Sequence, residues 1–254
     1  VPGSRITTVS VALATSMAAS NSIRSIFRLI DTLDLVTEQV KRRRYDTSGR
    51  RAGAEQTRLR ILHIARELFT TRGYAATSVT DIARGAGVSV DTLYASVGRK
   101  PQLLLAVHDM ELSGGGSPVD AEQRDYVKRI RAATTGAAKI ATYADALADV
   151  LPRTVPLLVA LREAGIHDPE CRKAYESIGE RRAANMRTFT ADLRTTGDVR
   201  ADLDDDTIAD IVWSMNGPDF YLLMHSRGRT PAEYADLVRD IWTRTILRSP
   251  NDRP

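Results

Sequence analysis

The chain has 254 residues, 43% of them apolar and 27% charged, with a formal net charge of +4. That length suffices for one or two domains with a substantial buried core, and the apolar share excludes disorder of the whole chain. One cysteine, Cys171, excludes an intrachain disulfide and a CxxC zinc pair and fits a reducing cytoplasm, while no apolar run nears the roughly 18 residues of a membrane span.

In chain order, residues 1–52 read as an extension, partly helical or disordered. The stretch ITTVSVALATSMAAS has only Arg5 ahead of it and is too polar for a secretion signal. Ile23, Ile26, Phe27, Ile30 and Leu33 then fall at helix spacing. They lead into the basic run Lys41–Arg44 and a linker-like DTSGRRAG. That run fits either a solvated tail or an arm that tracks a phosphate backbone or a minor groove.

Residues 53–112 read as a domain of four short helices. The first spans about 55–72, with Ile61, Ile64, Ala65, Leu68 and Phe69 on one face and Gly73 as its stop. Ser78, with Asp81 three residues on, marks the cap of the second. Ser89 caps the third, which runs to about Ser96, and Pro101 opens the fourth, which runs to about 112. The text TSVTDIARGAGVSVDTLY has the logic of a helix-turn-helix: two short helices across a tight turn. Ala83 is small at their approach, Gly87 frees the turn, and Val79, Ile82, Val88 and Leu93 supply a shared apolar seam. The N-terminal end of the second of these helices then faces a major groove, presenting Ser89, Val90, Asp91, Thr92 and Ala95.

Over Ile61–Leu104 the sequence resembles the tetracycline-repressor (TetR) family of bacterial transcription regulators. The matching residues are Leu68-Phe69, Gly73-Tyr74, Thr77-Ser78, Ile82-Ala83, Ala86-Gly87-Val88-Ser89, Leu93-Tyr94 and Lys100. The resemblance implies phosphate contacts from Thr77 or Ser78, from the Tyr94 hydroxyl and from Lys100. It implies base or sugar contacts from Ser89, Val90, Asp91 and Thr92. Two positions depart from the pattern. Asp91 stands where a glycine, small or basic residue is common, and either accepts from a cytosine amino group or serves as an acid at a helix start. Ser96-Val97 replaces a His/Tyr-Phe pair, so Val97 packs in the aromatic's place and Ser96 or Arg99 takes over its phosphate contact.

SGGGSP, Ser113–Pro118, reads as a joint, and residues 118–250 as a second all-helical domain. Helices are predicted at about 119–134, 137–150, 153–166, 168–196, 204–227 and 231–248, punctuated by Pro152, Gly165, Asp168-Pro169, Gly197 and Pro231. The fold class is therefore all-α, with an N-terminal helix-turn-helix domain and a C-terminal helical ligand-binding and dimerisation domain. The resemblance implies a homodimer through helices 204–227 and 231–248, a double-stranded DNA operator and a small-molecule effector. Candidate pocket residues are Tyr126, Tyr143, Met186, Phe189, Trp213, Asn216, Tyr221 and Met224, with His225 beside them; each also suits a plain core position. Gly217-Pro218 is expected to kink its helix and open a cavity, and the lining suits an apolar or aromatic effector. The four histidines are scattered, and no metal spacing, phosphate loop or nucleophile elbow is present. The expectation is a cytoplasmic repressor with no catalytic residue, metal or cofactor. The competing readings are a DNA-binding dimer that needs no ligand and an all-helical enzyme.

Overall fold

The computed structural model describes residues 49–249, so the readings for residues 1–48 lie outside the described part. The chain divides into two compact units, Val1–Gly53 and Ala54–Pro254. Residues 49–53 are helical; everything below concerns the larger unit. Among its described residues there is no strand, only an isolated antiparallel bridge between Val199 and Leu247.

Helix α1 covers 54–76 of this unit. Ile61, Leu62, Ala65 and Phe69 recur at helix spacing and are buried. Gly73, the predicted stop, does turn left-handed, with φ +79°, but helical bonding resumes to residue 76. Helix α2 is Val79–Gly85 and α3 is Val90–Val97. Each opens on a serine whose Oγ accepts a backbone N–H three residues on: Ser78 from Asp81 and Ser89 from Thr92, both at 3.1 Å. Such a cap contributes about 1 kcal/mol. Gly87 takes φ +65° in the turn between them, a conformation that costs a residue with a Cβ. The seam is closed by buried Ile82, Ala83 and Leu93, with Val79 and Val88 packed against it. Val97 is buried, filling the place of the missing aromatic. Helix α4, Lys100–Leu112, carries Leu103, Leu104, Val107 and Met110 into the same core.

A short 3-10 turn, Ala121–Gln123, precedes α5, Asp125–Ala132. Helix α6 then runs unbroken over Gly136–Ala164, where the sequence predicts two helices parted at Pro152. Pro152 and Pro156 both lie inside it, each costing about 3 kcal/mol. Both rings are exposed, while Leu151, Val155 and Leu158 on the same helix are buried at about 1.5–3 kcal/mol each, which offsets the loss. Helix α7 is Pro169–Arg194. The predicted helix 204–227 is two: α8, Asp205–Met215, and α9, Pro218–Ser226. Pro218 has no N–H to continue the ladder, so the expected kink at Gly217-Pro218 is a complete break. Helix α10, Pro231–Ile246, closes the fold with a full capping box between Thr230 and Glu233.

Two cores follow. One lies within α5–α10 and includes Tyr143, Phe189, Tyr234 and Trp242. The other joins α1–α4 to Leu157, Leu158 and Leu161 of α6 and to Cys171, Ala174 and Ile178 of α7. The helix-turn-helix head thus shares its core with the near ends of α6 and α7. Glu111, 3% exposed, adds an ionic tie among α1, α4 and α6: its carboxylate meets Arg66 at 2.6 Å and Arg153 at 3.3 Å.

Candidate functional site

The exposed face of α3 carries Asp91, Thr92 and Tyr94, the last 46% exposed despite its aromatic ring. Ser89 is exposed too, but its Oγ is engaged with Thr92, 2.8 Å from that hydroxyl. The capping role falls to Ser89, which leaves the Asp91 carboxylate outside the cap. Tyr94, Arg99 and Lys100 line one shallow groove with Tyr74, Asp168 and Glu170. Lys100 is half-buried, its Nζ 4.1 Å above the Tyr74 ring, and burial lowers its pKa below the usual lysine value. Arg99 lies 3.6 Å from Glu170, a pair that must open before Arg99 can take a phosphate.

Three side chains of this face are less open than the sequence suggests. Thr77 is 1% exposed, and its hydroxyl donates to the carbonyls of Leu68 at 3.1 Å and Gly73 at 2.8 Å. It closes the left-handed end of α1, and Ser78 is the exposed member of the pair. The Ser78 hydroxyl itself donates to Asp81 Oδ2 at 2.6 Å, so a phosphate must displace that bond. Val90 is partly buried against the head core and does not face outward. Ser96 is half-buried, and its carbonyl accepts from Arg58 of α1.

Between α4, α5, α6 and α7 lies a cavity of about 180 Å³. Five predicted residues line it: Tyr126, Tyr143, Met186, Phe189 and Asn216. Asn216 donates from Nδ2 to the Tyr143 hydroxyl and to Met186 Sδ, both at 2.8 Å. Burial raises the Tyr143 pKa, so its hydroxyl stays protonated at any ordinary pH. The other three do not line it. Trp213 is 41% exposed, its ring stacked on the Arg182 guanidinium at 5.3 Å. Tyr221 is buried edge-on against Tyr234, and Met224 packs on that same core. The break at Gly217 turns α9 away, and a Cβ there would lie 2.9 Å from the Arg182 guanidinium.

The sequence reading missed most of the polar lining, including His108, Arg124 and Arg182. His108 carried a signal, lying at helix spacing from Leu104 and Leu112 on the apolar face of α4. It is buried, which lowers its pKa, and its Nδ1 stands 3.6 Å from Asp109 without a hydrogen bond. Arg124, just ahead of α5, carried none. No group of three or more His, Cys, Asp or Glu among the described residues is placed to hold a metal. No helix among them is long and apolar enough to cross a membrane.

Residues 61–107 match the family model for bacterial regulatory proteins of the tetR family. The chain carries a TetR-family head. That match spans α1 to α4, the segment whose caps, turn and seam are described above. Solved structures extend the likeness in fold beyond the head. A transcriptional regulator from Saccharomonospora viridis in complex with choline is 18% identical, with TM-score 0.59, covering 76% of this chain and 99% of that one. The SmeT–triclosan complex is 15% identical, with TM-score 0.59, covering 79% and 96%. The regulator FadR from Bacillus subtilis, in complex with stearoyl-CoA, is 17% identical, with TM-score 0.54, covering 72% and 96%. At these identities the likeness is one of fold alone. No curated protein matches the sequence.

Proposed function

We propose that this chain is a homodimeric repressor whose hold on a DNA operator is released by a small molecule in the α4–α7 cavity. The observation that carries the reading is the span of α4. Its first residue, Lys100, lies in the groove beside Tyr94, and its His108 lines the cavity. One packed helix therefore touches both the candidate phosphate contacts and the candidate ligand site. A ligand that prefers one position of α4 shifts the head between DNA-competent and incompetent placements. Ser78, Tyr94 and Lys100 would grip phosphates, with Ser89, Asp91 and Thr92 toward the bases. The three related structures above hold choline, triclosan and stearoyl-CoA, which supports a ligand-taking body here. Exposed Trp213 on α8 and Leu223 on α9 support a dimer face on those helices.

The test is binding of the full chain to the DNA upstream of its own gene, titrated with salt and against random duplex. The expected outcome is a sequence-specific complex that weakens as salt rises. Equal affinity for random duplex would refute the regulator reading. An operator complex that no compound in a broad library weakens would leave the regulator and remove the ligand.

A further inference from the structure

Resting on the ligand-controlled reading above, we infer that the cavity takes a small organic anion: a one-ring or short-chain apolar body whose carboxylate sits on Arg124. Arg124 lines the cavity and is only 8% exposed. Among the described residues its guanidinium has no hydrogen-bond partner at Nε and no carboxylate within ion-pair distance. Burying a lone charge is costly. A lysine escapes that cost by losing its proton, whereas a guanidinium stays charged at any ordinary pH. The cavity wall therefore holds a buried cation that no carboxylate pairs with.

The other charges at the cavity leave that cation uncompensated. Glu122 is taken by Arg131 at 3.1 Å, and Asp192 by Lys139 at 2.8 Å. Arg182, which also lines the cavity, is held by neutral acceptors alone, Asn216 Oδ1 at 2.5 Å and the Trp213 carbonyl at 3.0 Å. His108, on the same wall as Arg124, is kept neutral by burial. The lining therefore attracts an anion and repels a cation, and weak screening in a buried site strengthens both effects. The fork of a guanidinium matches a carboxylate in two parallel hydrogen bonds. The apolar part of the lining includes Tyr126, Leu147 and Phe189. A cavity of about 150 Å³ accepts benzene, so the 180 Å³ here suits one ring or a short alkyl chain.

The experiment compares molecules of one body and three head groups on the full chain, by thermal shift and calorimetry. The probes are phenylacetate, 2-phenylethanol and 2-phenylethylamine, then hexanoate, hexanol and hexylamine, with inorganic phosphate as an anion lacking a body. At least one acid is expected to bind about tenfold or more tighter than its alcohol, the worth of a charge-assisted pair, and its amine not at all. Arg124→Met should erase the acid's advantage and raise the melting temperature of the ligand-free chain, because it removes an unpaired buried charge at similar volume. Arg124→Lys should keep part of the advantage. Acids that bind no better than their alcohols or amines would overturn the inference, as would phosphate binding as well as the acids. The head-group ranking in the unaltered chain decides the matter even where a variant fails to fold. If neutral compounds stabilise the chain and weaken its operator complex while acids do not, the ligand-controlled reading survives and the anion falls. If no compound of any class alters operator binding, the ligand-controlled reading falls, while the head-group ranking still decides the anion.

Discussion

Asp91 stands exposed in the first turn of α3, with the cap already supplied by Ser89. An acid there gains only about 0.3–1 kcal/mol from the helix dipole, whereas acceptance from a cytosine amino group is worth about 1–3 kcal/mol of discrimination. Asp91→Asn should therefore relax preference at one base pair by that larger amount, read from competition among single-base operator variants. An unchanged preference with slightly lower stability would leave it a helix-start acid only. Thr77 and Tyr94 divide in the opposite way from the family pattern. Thr77→Val removes a hydroxyl proton shared between the Leu68 and Gly73 carbonyls and should cost about 1–3 kcal/mol in urea unfolding, with operator affinity of the folded chain unchanged. Tyr94→Phe should leave stability alone and weaken all duplexes about tenfold or more per head, the worth of one hydrogen bond to a charged phosphate. The family pattern names Thr77-Ser78 as a pair but does not say which hydroxyl points inward. That is decided by the left-handed turn at Gly73, which swings Thr77 under α1. Arg124 was illegible for a similar reason: it sits ahead of α5, where no periodicity assigns a face.

At the scale of elements, the sequence was clearest where local rules and packing agree. The serine caps, the glycine turn and the apolar seam of α2 and α3 are all present where the residues predict them. It was least clear in α6, where a local breaker lost to tertiary burial: Pro152 and Pro156 sit on an exposed stripe of a helix anchored by its other face. Helix α4 couples the two regions through groups no pattern reveals. Glu111→Gln leaves Arg66 and Arg153 facing a neutral amide and should cost about 3 kcal/mol, the lower end for breaking a buried pair, because Arg66 is 41% exposed. Urea unfolding measures the loss. His108 on the same helix gives α4 a pH signature. Burial lowers its pKa below 6.5, with Arg181 and Arg124 adding to the shift and Asp109 opposing it. The unfolded chain then takes up a proton that the folded chain refuses, so stability should fall as pH drops below about 6.5 and level off once the folded imidazole titrates. The difference in unfolding free energy between the native chain and His108→Gln, measured from pH 7.5 to 5, isolates this contribution. A difference that does not vary with pH would show that the imidazole titrates alike in both states.

For the whole molecule, one head meets too few phosphates for tight binding, and a dimer supplies two heads to half-sites about 34–36 Å apart. The apolar residues left most exposed on α8 and α9 are Trp213 and Leu223, at 41% and 56%. Arg182 already stacks on Trp213, which makes Leu223 the cleaner target. Leu223→Arg should place a charge in the centre of the proposed face without touching either core. The expected result is a monomer in sedimentation at micromolar concentration, with native unfolding behaviour within about 0.5 kcal/mol per chain. Its affinity for a full operator should drop about 100-fold or more, because the second head no longer binds at high effective concentration, while its affinity for an isolated half-site stays the same. Ligand binding offers the internal control. The residues of one chain already enclose the cavity, so a monomer should retain the acid-over-amine preference even as it loses the operator. A variant that stays dimeric would move the interface off α9, and one that loses the cavity along with the dimer would show that the pocket requires its partner.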